Sequence, residues 1–358
     1  MKQLLKLTTV MLAALLSFGA ITQVSADKMK VGFIYIGPPG DHGWTYAHDQ
    51  ARLAVEDQLG DQVETTFVEG VPEGPDAERA IAKLAETGHK LIFTTSFGYM
   101  EPTLKVAKRF PDVKFEHATG YKQADNVSTY SARFYEGRYV QGQIAAKISK
   151  SGVIGYIASF PIPEVVRGIN AFMLGAQTVN ANMKVKVVWV YTWFDPPKEA
   201  DAAKVLMDQG ADIITQHTDS TAAIQAAADR GIKAFGQASD MIHFAPNTQL
   251  TAIIDNWGPY YVARPQAVLD GPWTSGDTWH GMGPGMVVMA PFTNMDDSVR
   301  QMATETTAAL TSGKLHAFTG PIHNQAGELV VPTGATADDG MLAGMNFYVK
   351  GVDDKLPE

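Results

Sequence analysis

Several stretches of this chain place aromatic side chains beside carboxylates, amides or hydroxyls, each just past an apolar run. Asp41, His42, Gly43 and Trp44 follow residues 31–36 (VGFIYI). Ser96, Phe97, Gly98 and Tyr99 follow residues 91–95, and Ser159 with Phe160 follows 153–158. Thr192 to Asp195, His217 to Ser220, Gln237 to Asp240, and Asp255 to Trp257 close later runs in the same way. Aromatic faces stack on flat rings, and a carboxylate or amide reads donors and acceptors on the ring edge. A nucleobase or a sugar suits such a set; a long acyl chain or a bare anion does not.

The residues expected to bind the ligand are Trp44, Asp41, Phe97, Phe160, Trp193, Phe194, Asp219, Asp240 and Asn256. Trp44 stands among polar or small neighbours, which reads as a platform more than a core plug. Asp41 and Asp219 can equally cap helices, because a carboxylate accepts the free N–H groups of a first turn. Trp193 and Phe194 are adjacent, so their side chains can diverge and only one need face the ligand. Asp240 follows a short strand with no apolar neighbour to bury it, which favours a ligand role. Trp257 can be core, and Asn256 would then take the cleft.

Chemistry beyond binding is not written here. The chain has no G-x-S-x-G elbow, no P-loop and no cysteine. Two prolines in residues 37–40 (GPPG) remove N–H groups that a phosphate loop would need. The nine histidines are scattered, and His42 and His48 are not spaced as a zinc pair. No enzyme activity, metal or cofactor is expected. The formal net charge of −9 argues against nucleic acid or an anionic membrane as partner.

The elements that must position these residues alternate strand and helix. Strands are expected at 31–36, 63–68, 91–95, 113–117 and 127–130, with helices at 76–86, 99–109 and 135–149 between or after them. The rhythm restarts with strands at 153–158, 185–191, 212–215 and 233–235 and helices at 164–179, 198–209 and 221–230. Such alternation implies parallel sheets with right-handed crossovers. The expected fold class is α/β, with two similar doubly wound parallel-sheet lobes and a ligand cleft between them. Open α/β sheets bind ligands at the carboxyl ends of their strands. Lobe one is expected at 27–150 and lobe two at 151–254, with 255–358 crossing between and completing both. Residues 1–26 read as a signal peptide: Lys2 and Lys6, a short apolar core, and Val24, Ser25 and Ala26 before the cut. With no cysteine to carry a lipid, a periplasmic location is expected.

The chain resembles the basic membrane protein family of ABC-transporter substrate-binding proteins, relatives of the purine nucleoside receptor lipoproteins with a type I periplasmic-binding fold. The likeness covers nearly all of 29–352. It rests on Asp41-His42-Gly43-Trp44, where the family carries Asp-x-Ser-Phe, and on residues 134–142 (FYEGRYVQG), 168–176 (GINAFMLGA), 210–214 (GADII), 236–240 (GQASD) and 347–352 (FYVKGV). In that family a base lies between aromatics from the two lobes while an acid reads its edge. By position the resemblance implies Trp44 as the lobe-one stacker, Trp193 or Phe194 as its counterpart, and Asp240 as the acid. The chain departs from the family in having Trp for Phe, Asn256-Trp257 where nucleoside receptors carry Lys, and no lipid-bearing cysteine. The first two departures favour a free purine base over a nucleoside.

The resulting expectation is a periplasmic receptor of an ABC importer that binds a purine base, adenine first, then docks on an inner-membrane permease. The alternatives are a sugar receptor of the same fold and, further off, a purine nucleosidase or deaminase.

Overall fold

The computed structural model describes residues 27–357, so the expected signal peptide lies outside the described residues. The first sheet contains β1 (Met29–Ile34), β2 (Val63–Val68), β3 (Leu91–Thr94), β4 (Lys114–Ala118), β5 (Val127–Ala132) and β11 (Asp277–His280). Its spatial order is β11-β5-β4-β3-β1-β2, with every pair parallel. The second sheet, ordered β12-β10-β9-β8-β6-β7, contains β6 (Val153–Ala158), β7 (Lys184–Trp189), β8 (Ile213–His217), β9 (Lys233–Gly236), β10 (Gln249–Asp255) and β12 (Val287–Met289). Only β12 runs antiparallel within it. This is the expected two-lobed α/β class.

Period-two patterning shows why β1 is an interior strand, paired with β2 and β3. Val31 and Phe33 enter the large core shared by both lobes, while Ile34 enters a second core on the opposite face of the sheet. Leu91 and Phe93 of β3 split from Ile92 in the same way. In lobe two, Ile154, Tyr156 and Ala158 face the shared core and Ile157 faces a third cluster. A strand buried on both faces reads as a continuous apolar run, as these do.

The chain crosses between lobes after β5, after β10, and between β11 and β12. The first crossing runs through α4. Helix α4 (Tyr135–Ile148) packs on α5 (Pro163–Gln177) of lobe two. The two helices approach closely at paired glycines. A β-carbon on Gly142 would come 1.9 Å from the Phe172 carbonyl oxygen, and one on Gly175 would come 2.1 Å from that of Tyr139. Helix α8 (Gly258–Asp270) returns to lobe one and packs on α1 (Trp44–Leu59). The tail is pinned to α5: Asn170 Nδ2 donates to Phe347 O at 2.7 Å and Arg167 Nη1 to Leu342 O at 2.6 Å.

Candidate ligand cleft

Trp44 is placed by the loop that ends β1. Asp41 is buried there, and its carboxylate accepts from the backbone N–H groups of Gly43 (2.8 Å), Thr45 (3.0 Å) and Tyr46 (2.9 Å). That fixes the start of α1 and sets the Trp44 indole above the carboxyl end of the first sheet. Trp44 Nε1 donates to Thr95 O at 2.6 Å, just past β3. His48 and the buried Trp257 meet the indole edge-on, at ring-centroid distances of 4.5 and 5.7 Å.

Lobe two supplies the facing wall. Trp193 lies in the loop after β7, with the Phe160 ring 5.1 Å from it. Its carbonyl accepts from the Asp219 N–H at 3.0 Å, joining that loop to the one after β8. Glu164 opens α5 next to Pro163, with Oε1 3.5 Å from His217 Nε2 at the end of β8. Burial pushes the His217 imidazole below its usual range, against the pull of Glu164.

Trp44 and Phe97 from lobe one, with Trp193, Glu164, Asp219 and Gln237 from lobe two, line one cavity. A more open chamber adjoins it at Phe97, Thr119 and Glu164. The lobes touch around the cavity: Ser239 Oγ donates to the His42 carbonyl, and the His42 and Phe244 rings lie 4.6 Å apart. The arrangement is therefore closed.

Negative charge crowds this place. Burial raises the Asp219 carboxyl well above its ordinary value, and Asp41, Glu199, Asp255 and Glu164 raise it further. Asp255 is buried with both oxygens unpaired among the described residues. Burial raises it too, with Glu164 adding and Arg138 opposing. Such a wall suits hydrogen-bond donors on a ligand. Among the described residues no His, Asp and Glu group forms a metal site, and no helix is long and apolar enough to cross a membrane.

The family model described as PnrA-like ABC transporter substrate-binding protein matches residues 28–312. The chain belongs to that family. A purine-binding protein of Brucella abortus is 70% identical over 332 residues, spanning 93% of this chain and 95% of its own. A putative ABC transporter glucose-binding protein of Haloferax volcanii is 37% identical, spanning 92% of this chain and 82% of its own. An ABC transporter solute-binding protein from Aeropyrum pernix superposes with a TM-score of 0.71 at 18% identity, over 88% of this chain and 95% of that one, a likeness of fold alone. Family and fold are those of PnrA-like substrate-binding proteins and not of enzymes.

In this PnrA-like chain the cavity brings together Trp44, Phe97, Trp193 and Asp219 of the expected set. The other five stand elsewhere. Asp41 serves as the cap just described. The Phe160 ring packs against Trp193, tilted by 53°. Phe194 faces the lobe-one loop, its Cβ 3.9 Å from where a β-carbon on Gly37 would sit. Asn256 is exposed, with Nδ2 donating to Gly285 O at 2.9 Å. Asp240 is exposed outside the cavity, and its carboxylate accepts from Gln249 Nε2 (2.6 Å) and the Ile242 N–H (3.1 Å). The carboxylate that resembles the family's acid by sequence position is thus spent on its own turn. Glu164, His217 and Gln237 were not in the expected set. For Glu164 a signal existed: an acid beside a helix-opening proline, just past a strand end.

Proposed function

We propose that this protein is the periplasmic receptor of an ABC importer and binds a purine base, with adenine the preferred ligand. The observation that carries the reading is the single cavity in which Trp44 and Trp193, one from each lobe, stand with Phe97 beside the carboxylates of Asp219 and Glu164. Aromatic walls from both lobes bind a flat ring by stacking, and carboxyl oxygens accept from a ligand edge that carries N–H groups, as adenine's amine does. The 70% identical relative from Brucella abortus is named purine-binding, which supports the same class. Because the ligand touches both lobes, it stabilises the closed form, and the closed form is what docks on a membrane permease.

A sugar is the second reading, favoured by the 37% identical relative from Haloferax volcanii that is named glucose-binding. The test is to denature the purified protein and identify the molecule released, by mass spectrometry and ultraviolet absorbance. An adenine-mass species absorbing as a purine is expected. A released hexose without such absorbance would move the assignment to the sugar reading.

A further inference from the structure

The most deeply buried cation at this site is Arg138, in the second turn of α4, with no exposed surface. It makes no ion pair among the described residues; hydrogen bonds hold it instead. Nη1 donates to Thr215 Oγ1 (3.1 Å) and Gln141 Oε1 (3.2 Å). Nη2 donates to Gln216 O at 2.8 Å and to Gln237 Oε1. Asp255 and Glu164 act on it electrostatically from a distance. Arg138 thus reaches from the helix of the first lobe crossing to the carboxyl ends of β8 and β9, where the cavity is lined.

The bond to Gln237 has a chemical consequence. A guanidinium only donates, so the Gln237 amide must turn its oxygen toward Arg138. Gln237 is buried and lines the cavity, and its Nε2 has no partner among the described residues. We propose that Arg138 is a positioning residue that fixes Gln237 as a hydrogen-bond donor into the cavity, so that the ligand must present an acceptor atom there. The inference rests on the purine reading and carries it to the ring edge. Glu164 accepts, Gln237 donates, and the edge that satisfies both kinds pairs an amine with an unprotonated ring nitrogen, as in an aminopurine. A 6-oxopurine places N–H where adenine has a bare N1, and it meets the Gln237 amine donor to donor.

The test is a cycle between ligand atoms and protein. Adenine, hypoxanthine and the three adenine analogues with N1, N3 or N7 replaced by C–H are titrated calorimetrically into wild type, Gln237→Leu, Arg138→Met and Arg138→Lys. On wild type, the analogue lacking N1 should bind about tenfold or more weakly than adenine, the factor expected for a buried hydrogen bond left unmade. In Gln237→Leu that penalty should vanish, because adenine falls to the level of the analogue. Arg138→Met, which frees the amide to flip, should narrow the preference for adenine over hypoxanthine. Arg138→Lys retains a donor for Oε1 and should restore part of it. If Arg138→Met does not fold, the Gln237→Leu cycle still decides. Wild type that bound no purine would overturn the purine reading and this inference together. Purine binding with penalties unchanged in Gln237→Leu would overturn this inference alone.

Discussion

Gly43 of lobe one lies so close to Asp219 of lobe two that a β-carbon at 43 would come within 2.1 Å of the Asp219 carbonyl oxygen. Backbone is not a flexible side chain that can step aside, so the closed form needs glycine there. Gly43→Ala should leave each lobe folded and obstruct closure. Small-angle scattering should show wild type contracting on addition of adenine and the variant keeping its larger radius, with affinity at least tenfold lower. A variant that contracts like wild type would show that the contact forms after closure by some other route.

Trp44 and Trp193 should each act as a platform. Stacking on one face contributes roughly 1–3 kcal/mol per base. Trp44→Ala or Trp193→Ala should therefore weaken adenine about tenfold to a hundredfold. Trp44 also anchors to Thr95 O, so its loss should lower the melting temperature more than the loss of Trp193, whose Nε1 has no partner among the described residues. Unchanged affinity in both variants would remove the stacking account.

Asp219 and Asp240 separate cleanly. Asp219 lines the cavity, whereas Asp240 is exposed and committed to Gln249 and its own turn. Asp219→Asn should alter the ranking of adenine, guanine and hypoxanthine in calorimetry. Asp240→Asn should leave that ranking intact and change stability by about 1 kcal/mol or less. The reverse pattern would return the edge-reading role to Asp240.

The acid cluster gives an unusual pH signature. Burial raises the Asp41 carboxyl from its ordinary 3.8 to about 6, and raises Asp219 and Asp255 as well. A carboxyl whose value is higher folded than unfolded holds more protons in the folded state between the two values, so its contribution to stability falls as pH rises through that window. Held closed by saturating adenine, the protein should then melt higher at pH 5.5 than at pH 7.5, and Asp219→Asn should shrink the difference. A melting temperature that drops on acidification, equally in both proteins, would contradict this.

Much of this was readable in the chain. The apolar runs of β1, β3 and β6 are buried on both faces, and such strands announce themselves by composition. Strand β11 did not, because residues 277–280 (DTWH) have no apolar run and are extended only through pairing with β5. The packing of α4 was not legible either: it follows β5 as any crossover helix would, and its close fit to α5 shows only at Gly142 and Gly175. In the site, the cavity-lining aromatics Trp44, Phe97 and Trp193 were legible from their places past strand ends. The choice between Gln237 and Asp240 was not. It is made within one turn, where Ala238 takes a left-handed φ of 61° and redirects the chain between them.

The central claim is that two lobes close on a purine. Its most direct test is calorimetric titration of ligand-free protein, prepared by unfolding, dialysis and refolding, with adenine and separately with glucose. Saturable one-to-one binding of adenine and no heat from glucose at the same concentrations are expected. Saturable binding of glucose with none of adenine would contradict it.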